Sequence, residues 1–184
     1  MHPYNGALML NGPIPPHVDP RKLVEREVTL EGVLPLASMP RVCEQLTSSE
    51  GNVRAKFSFF RDEQKLSVMH VEVDAQVSMV CQRCLEPATF RVVGESDFAI
   101  LWEGKSAEGL PKGYDALEVG EEPLDLPPLV EDELLLALPI VPAHDPEKCQ
   151  HPAGFAAAPE PSENVEERPN PFSVLAQLKR DPNV

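Results

Sequence analysis

Residues 53 to 79 carry the pattern that most restricts the fold of this chain. Apolar and polar residues alternate from Val53 to Phe60, a polar turn follows at residues 61–64, and the alternation resumes from Leu66 to Met79. Because side chains of a β-strand point alternately to its two faces, each run predicts a strand with one buried face. The alternation shifts by one position near His70, which indicates a β-bulge. Together the runs predict an antiparallel hairpin.

Shorter patterns on either side extend this hairpin into a sheet with helices. Residues 25–33 and 90–102 have the composition of further strands, and Ser38 is a suitable N-cap for a short helix that ends near Leu46. A second short helix is expected between Pro128 and Pro139. The chain contains 21 prolines, which argue against long helices because proline removes a backbone donor. We expect an α+β fold with an antiparallel β-sheet core, short helices and a tethered C-terminal helix.

Composition divides the chain into four segments. They are a flexible, proline-rich leader at residues 1–20, a single α+β domain at 21–151, an acidic linker at 152–169 and a C-terminal helix at 170–184. Asn170 is a good N-cap for that helix, and its apolar face carries Phe172, Leu175 and Leu178. A helix of this length is only marginally stable in isolation. We therefore expect it either to pack on the sheet or to dock into a partner.

The charge of the chain favours basic partners. It has 30 acidic and 16 basic residues, a formal net charge of −14, and no Lys or Arg between residues 113 and 147. Sequence-independent binding to nucleic acid requires clustered Lys and Arg, and this chain as a whole lacks such clusters. An acidic protein more readily meets a basic one. We therefore predict partner binding through acidic and apolar residues, namely Glu131, Asp132, Glu133, Phe172, Leu175 and Leu178.

Nothing in the sequence predicts a membrane or secreted protein. No run approaches the ~20 consecutive apolar residues of a transmembrane helix, and the N-terminus lacks the pattern of a secretory signal. We expect a cytoplasmic protein with no membrane partner. In a reducing cytoplasm its four cysteines are poor candidates for disulfides.

Cys81 and Cys84 form a CxxC motif that predicts a metal knuckle. Two thiolates at this spacing reach one zinc ion at ~2.3 Å and leave two coordination positions for other ligands. Cys149 is the candidate third ligand, and His144 or His151 is the candidate fourth. The separation between Cys84 and Cys149 is much longer than in a compact zinc ribbon, so only the fold could bring the halves together.

Two other interpretations of the CxxC motif stay open. A redox motif normally lies at a helix N-terminus, where the helix dipole lowers the thiol pKa, whereas strand-like residues 90–93 follow this one. The thiols could also be small buried side chains. Cys43, on the apolar side of a predicted helix, is expected to be a core thiol.

The sequence predicts no enzyme and no catalytic residues. It has no GxSxG elbow, no GxxxxGK[ST] phosphate loop and no GxGxxG motif. The acid-rich stretch could supply carboxylates for a hydrolase or nuclease, although such density is more typical of a solvated surface. No small-molecule substrate is expected.

Three segments, taken together, resemble the YceD family of bacterial and plastid proteins. They are CQRCLEP at residues 81–87, EDELLLALPIVPAHDPEKC at residues 131–149 and NPFSVLAQLK at residues 170–179. Their order and spacing match the family over about residues 25–180.

The resemblance implies a role in the synthesis, processing or stability of 23S-type ribosomal RNA, with no enzymatic activity. The cysteines that the family shares are consistent with a metal site at Cys81, Cys84 and Cys149. We therefore expect a ribosome biogenesis factor that meets a basic large-subunit ribosomal protein or an assembly intermediate, with any rRNA contact indirect. The alternatives are a zinc-knuckle protein that contacts rRNA through Arg83 and Arg91, or a hydrolase or nuclease that uses the acidic cluster.

Overall fold

A six-stranded sheet forms the centre of the molecule. The computed structural model describes residues 9–102 and 107–149. The strand bounds are Met9–Asn11 (β1), Thr29–Pro35 (β3), Asn52–Arg61 (β4), Ser67–Val80 (β5), Pro87–Trp102 (β6) and Asp115–Val119 (β7), and the strands are adjacent in that order, β1-β3-β4-β5-β6-β7. Strands β3 to β6 are antiparallel, whereas β1 and β7 pair in parallel with their neighbours. The predicted α+β class is confirmed.

Short helices and a small second sheet complete the fold. The helices are Pro20–Glu25 (α1), Pro40–Cys43 (α2) and Leu126–Ala137 (α3), with a 3₁₀-helix at Leu36–Ser38. Strands His17–Val18 (β2) and Leu124–Asp125 (β8) pair antiparallel. No helix in the described ranges is long and apolar enough to cross a membrane.

One face of the β4–β5 hairpin provides most of the main core. The inward residues of both strands are almost completely buried: Val53, Ala55, Phe57, Phe59, Met69, Val71, Val73, Ala75 and Val77. Val24 of α1, Val42 of α2, and Val130 and Leu134 of α3 belong to the same cluster. Removal of this apolar surface from water is the main driving force that holds the helices on the sheet.

The predicted β-bulge near His70 is absent, and that prediction is wrong. Strand β5 pairs without interruption with β4 and with β6 on both sides of His70. Val68 and Met69 are both fully buried because both faces of the sheet are covered at this end. On the face opposite the main core, Val68 pairs with the buried Ala99.

The N-terminal elements differ from the predicted ones. Residues 12–18 of the predicted leader include the core residues Ile14 and Val18. Asp19 caps α1 by accepting a hydrogen bond from the Arg21 amide (3.1 Å). Because α1 occupies the chain up to Glu25, β3 begins at Thr29 rather than near residue 25.

The predicted cap of the next helix is wrong as well. The Ser38 hydroxyl donates to the Pro35 carbonyl (2.7 Å), and α2 begins only at Pro40. The residue therefore closes a turn before the helix instead of starting the helix.

Helix α3 crosses β6 at close range. A Cβ atom at Gly94 would lie 3.1 Å from Cγ2 of Val73 and 3.3 Å from Cβ of Ala137, so a larger residue would require these neighbours to move by a few tenths of an ångström. Beside it, the Ser96 hydroxyl donates to Glu133 of α3 (2.7 Å). These contacts fix where α3 ends and direct the following segment to the β5–β6 turn. The predicted acidic linker (152–169) and C-terminal helix (170–184), with Phe172, Leu175 and Leu178, lie outside the described residues.

Candidate metal centre

The turn between β5 and β6 holds the CxxC motif. Cys81 directly follows β5, and its amide donates to the Glu86 carbonyl (2.9 Å), while the Leu85 amide donates to the Cys81 carbonyl (2.9 Å). Leu85 has a positive φ of 63°, in the left-handed region that tightens such a turn. The two thiols therefore point to the same side of the turn.

The segment after α3 closes over this turn. The Gln82 amide donates to the Pro142 carbonyl (2.9 Å), and the Arg83 guanidinium donates to the carbonyl of His144. Amides of Lys148 and Cys149 both donate to the Asp145 carbonyl, which folds residues 145–149 into a turn of their own. These contacts bring the CxxC turn and the segment that contains His144 and Cys149 together, as the sequence required of the fold.

Four ligand-type atoms converge at this place. The sulfur atoms of Cys81, Cys84 and Cys149 and a ring nitrogen of His144 all lie within 4.8 Å of one another. The Sγ atoms of Cys81 and Cys149 are 3.8 Å apart, and Cys84 Sγ is 3.3 Å from His144 Nδ1. All four cysteines of the chain are free thiols.

These distances fit a tetrahedral zinc ion. Zn–S bonds of ~2.3 Å and Zn–N bonds of ~2.0–2.1 Å at tetrahedral angles place two sulfurs ~3.8 Å apart and a sulfur ~3.6 Å from a nitrogen. The observed distance between the Cys81 and Cys149 sulfurs, 3.8 Å, equals the first value. The observed distance from Cys84 Sγ to His144 Nδ1, 3.3 Å, is 0.3 Å shorter than the second value of ~3.6 Å. Four protein ligands leave no open coordination position, which is typical of structural rather than catalytic zinc.

The ring of His144 is oriented for a metal by its second nitrogen. Nε2 lies 3.1 Å from the Pro87 carbonyl oxygen, which accepts hydrogen bonds only. The proton therefore belongs on Nε2, and the lone pair of Nδ1 points at the cysteines. Such an outer hydrogen bond is the usual way in which proteins fix the tautomer of a ligating histidine.

The electrostatics of the thiols also suit a cation. Backbone N–H groups of Cys84, His144 and Arg83 lower the pKa of Cys81 to about 5, against the opposing effect of its burial. The His144 amide lies 3.4 Å from Cys81 Sγ. Burial and then the neighbouring Cys84 and Cys81 thiols raise the pKa of Cys149 to about 11. A bound cation would stabilise the thiolate form of this second thiol, since metal ligands are deprotonated.

The centre has a small hydrophobic core of its own. Cys81, Cys84 and Ala88 are buried together, with Phe90, Ala143 and Cys149 packed against them. Phe90 also packs against the main cluster. So few apolar groups provide little free energy. A metal crosslink would therefore contribute a large part of the local stability.

The geometry decides between several sequence interpretations. Among the described residues His144 completes the set, and His151 lies outside them. Cys43 is apart from the set; its thiol lies 3.1 Å from the Leu36 carbonyl. The CxxC motif sits in a hairpin turn rather than at a helix N-terminus, so no helix dipole acts on its thiols.

Two of the three acidic residues predicted to bind a partner are interior residues. Glu131 and Glu133 are only 7% and 4% exposed. Glu131 accepts hydrogen bonds from the Arg41 amide (2.7 Å), the Arg41 Nε (3.0 Å) and the Val42 amide (3.3 Å), and so anchors α2 to α3. Both carboxylates are thus engaged inside the fold, and their role in partner binding stays a prediction. Asp132 is half exposed and pairs with Arg41 (2.7 Å), and its role in partner binding stays a prediction.

Sequence reasoning did not identify the roles of Glu131 and Glu133 because their partners are distant in the chain. Arg41 and Ser96 lie 90 and 37 residues away from the carboxylates that they contact. The sequence offered one indication that these carboxylates need partners elsewhere in the chain, namely that α3 carries no basic residue.

Both arginines predicted to contact RNA have partners within the protein. Arg83 is bonded to the backbone at the metal centre. Arg91 forms a two-point ion pair with Asp74 at 3.1 and 2.8 Å across the outer face of the sheet. That hydrogen-bonded arginine lowers the pKa of Asp74. Direct contact of these arginines with rRNA stays a prediction.

Fold and centre define a class: an α+β protein whose sheet ends in a knuckle of three cysteines and one histidine, compatible with zinc. Residues 69–179 match the family described as "Large ribosomal RNA subunit accumulation protein YceD". The chain is also 36% identical over 171 residues to the protein of that name from Haemophilus influenzae, a match that covers 91% of this chain and 97% of the relative. The chain belongs to the YceD family. No solved structure is significantly similar to it.

Proposed function

We propose that this protein promotes the accumulation of large-subunit ribosomal RNA in the cytoplasm, as a non-enzymatic factor in the biogenesis of the large ribosomal subunit. The observation that carries the proposal is the 36% identity to the Haemophilus influenzae protein over almost the whole of both chains. Such extensive similarity includes the knuckle and the segment that closes it, so it covers the part of the chain with distinctive chemistry.

The metal centre supports a structural rather than a catalytic role. The proposed zinc ion would be held by Cys81, Cys84, His144 and Cys149, whose ligand atoms already lie within 4.8 Å of one another. When bound, zinc would crosslink the β5–β6 turn to the segment after α3. The Nε2 proton of His144 is engaged by the Pro87 carbonyl, so this histidine is not a free general base.

The charge of the chain supports a basic partner. The formal net charge is −14, and residues 113–147 contain no Lys or Arg. A protein with this charge is attracted to a basic ribosomal protein and repelled by bare RNA. We therefore assign the action on rRNA to a contact with a ribosomal protein or an assembly intermediate.

The proposal is tested by sedimentation of the tagged full-length protein through a sucrose gradient of cell extract. It should travel with precursors of the large subunit and should be absent from mature small subunits. Treatment of the extract with high salt should release it, because charge attraction is screened. Exclusive sedimentation as the free protein, in growing cells and after cold shift, would contradict a contact with assembly intermediates.

A further inference from the structure

Large apolar side chains are exposed at the metal-centre end of the domain. Ile140 is 95% exposed, Leu136 is 80% exposed and Val80 is 45% exposed. Clustered exposure of this kind is unusual for a surface that only meets water and typically marks a binding site.

Two of these residues, Val80 and Ile140, line a groove, and Leu136 does not. The groove has a volume of about 510 Å³ and lies between the turn after α2, the end of β5 and the segment that follows α3. Leu46, Met79, Leu135 and Leu138 are lining residues that also pack against the main core, while Val80 and Ile140 line the groove as exposed residues. The groove is thus a trough with an apolar base, and its lining also includes the polar residues Glu44, Gln45, Thr47 and Gln82. Such a surface suits an inserted apolar side chain with polar or charged neighbours.

The charge around the groove selects the kind of occupant. Among the residues that the structure describes, one carboxylate, that of Glu44, lines it, and no lysine or arginine does. The segment that forms one wall continues into the exposed acids Asp145 and Glu147 and the exposed Lys148. The described lining residues offer an RNA strand neither cations nor aromatic platforms, whereas Glu44 would attract a basic polypeptide.

The wall of the groove and the metal centre are the same segment. Ile140 and Pro142 line the groove, and His144 and Cys149 complete the ligand set a few residues later. The hydrogen bond from the Gln82 amide to the Pro142 carbonyl (2.9 Å) joins the wall to the knuckle. Whatever fixes the knuckle therefore also fixes the shape of the groove.

We propose that this groove binds a basic polypeptide segment that carries apolar side chains, of the kind found in large-subunit ribosomal proteins, and that metal binding at the knuckle holds the groove in shape. This inference rests on the proposed function and names the surface through which it acts. The apolar side chains would fill the trough, and flanking lysine or arginine residues would lie near Glu44.

Overlapping peptides from large-subunit ribosomal proteins provide the probe. Binding to the zinc-loaded full-length protein is measured by fluorescence anisotropy. We expect peptides with clustered lysine or arginine around two or more large apolar residues to bind, and Ile140→Asp to weaken their binding by more than about tenfold. Ile140 is 95% exposed, so the substitution should leave the fold and the zinc content intact.

Val33→Asp is the matched control. Val33 is 54% exposed on a strand of the sheet, away from the groove, and is paired with Arg54, which accommodates a new carboxylate. This variant should bind the same peptides as the wild-type protein does. An equal loss of affinity in Val33→Asp and Ile140→Asp, or binding of no peptide, would overturn the proposal. So would a dimer of the wild-type protein that Ile140→Asp dissociates, since the groove would then hold a second copy.

Complementation separates this proposal from the proposed function. If the wild-type gene restores 23S-type rRNA in a deletion strain and Ile140→Asp restores it equally, the family role holds and the groove proposal fails. If Ile140→Asp fails to restore it while Val33→Asp succeeds, both proposals are supported. If the deletion has no effect on rRNA, the proposed function itself fails, whatever the peptides do.

Discussion

The sulfur of Cys84 lies 3.3 Å from Nδ1 of His144, a residue 60 positions later in the chain. This contact joins the β5–β6 turn to the segment that follows α3. The core around it shares Phe90 with the main core. Because the core at this contact is small, the stability of this end of the sheet should depend on the metal.

Removal of zinc should lower the melting temperature of the protein. A ligand at about 1,000 times its Kd stabilises the folded state by about 4 kcal/mol, which corresponds to roughly 8–16 °C for a chain of this size. Differential scanning calorimetry with and without a strong chelator measures the difference. Cys84→Ser should melt at one low temperature in both conditions. Cys43→Ser should keep the full response, because Cys43 lies outside the ligand set; loss of the response there would contradict the assignment.

The affinity for zinc should fall on acidification, and Cys149 and Cys81 should contribute differently to this pH dependence. Burial raises the pKa of Cys149 to about 11, so this thiol must release a proton when it binds metal near neutral pH. Each such proton weakens binding about tenfold per unit of decreasing pH. The pKa of Cys81 is lowered to about 5 by backbone N–H donors, so Cys81 is already a thiolate there.

Competition with a coloured chelator between about pH 6 and 8 tests this distinction. Cys149→Ser should reduce the slope of log Kd against pH by about one. Cys81→Ser should weaken binding and leave the slope almost unchanged. The reverse assignment of slopes would show that the two thiols have been interpreted incorrectly.

Loss of the Glu131 carboxylate should destabilise the domain more than loss of its neighbour. Glu131→Ala leaves the Arg41 and Val42 amides without their acceptor, which costs about 2 kcal/mol and lowers the melting temperature by roughly 4–8 °C. Asp132→Ala removes a half-exposed ion pair worth less than about 1 kcal/mol. Thermal unfolding of both variants gives the comparison. Equal effects would mean that the buried hydrogen bonds do not hold α2 on α3.

A methyl group at Gly94 should be costly. It would lie 3.1 Å from Val73 and 3.3 Å from Ala137, so α3 or β5 has to shift, at a cost of about 1–3 kcal/mol. Gly120→Ala, where no atom lies within 4 Å, serves as the control and should change stability little. Chemical denaturation of the two variants measures the difference. A neutral Gly94→Ala would show that α3 does not approach the sheet as closely as described.

The main hairpin was predictable because its pattern is local. Residues 53–60 and 66–79 alternate with the period of a strand, and the observed strands β4 and β5 include almost all of them. The supposed bulge at His70 was an error of the same method. A change in alternation indicates a bulge only in a strand that has a single buried face. At Val68 both faces of the sheet are buried, because this residue is covered on the face opposite the main core.

Features that depend on distant residues were less accessible. The parallel edge strands β1 and β7 are only three and five residues long, too short for a clear alternation. Spacing left His144 and His151 as equal candidates because neither could be placed relative to the knuckle. The acidic residues of α3 suggested a binding surface, since the arginine and serine that engage them are separated from them in the chain.

The ratio of large- to small-subunit rRNA in cells that lack this gene tests the central claim most directly. We expect 23S-type rRNA to fall relative to 16S-type rRNA, wild-type protein and Cys43→Ser to restore it, and Cys81→Ser to fail because its metal centre is incomplete. An unchanged ratio in the deletion strain, during both rapid and cold growth, would contradict the proposed function.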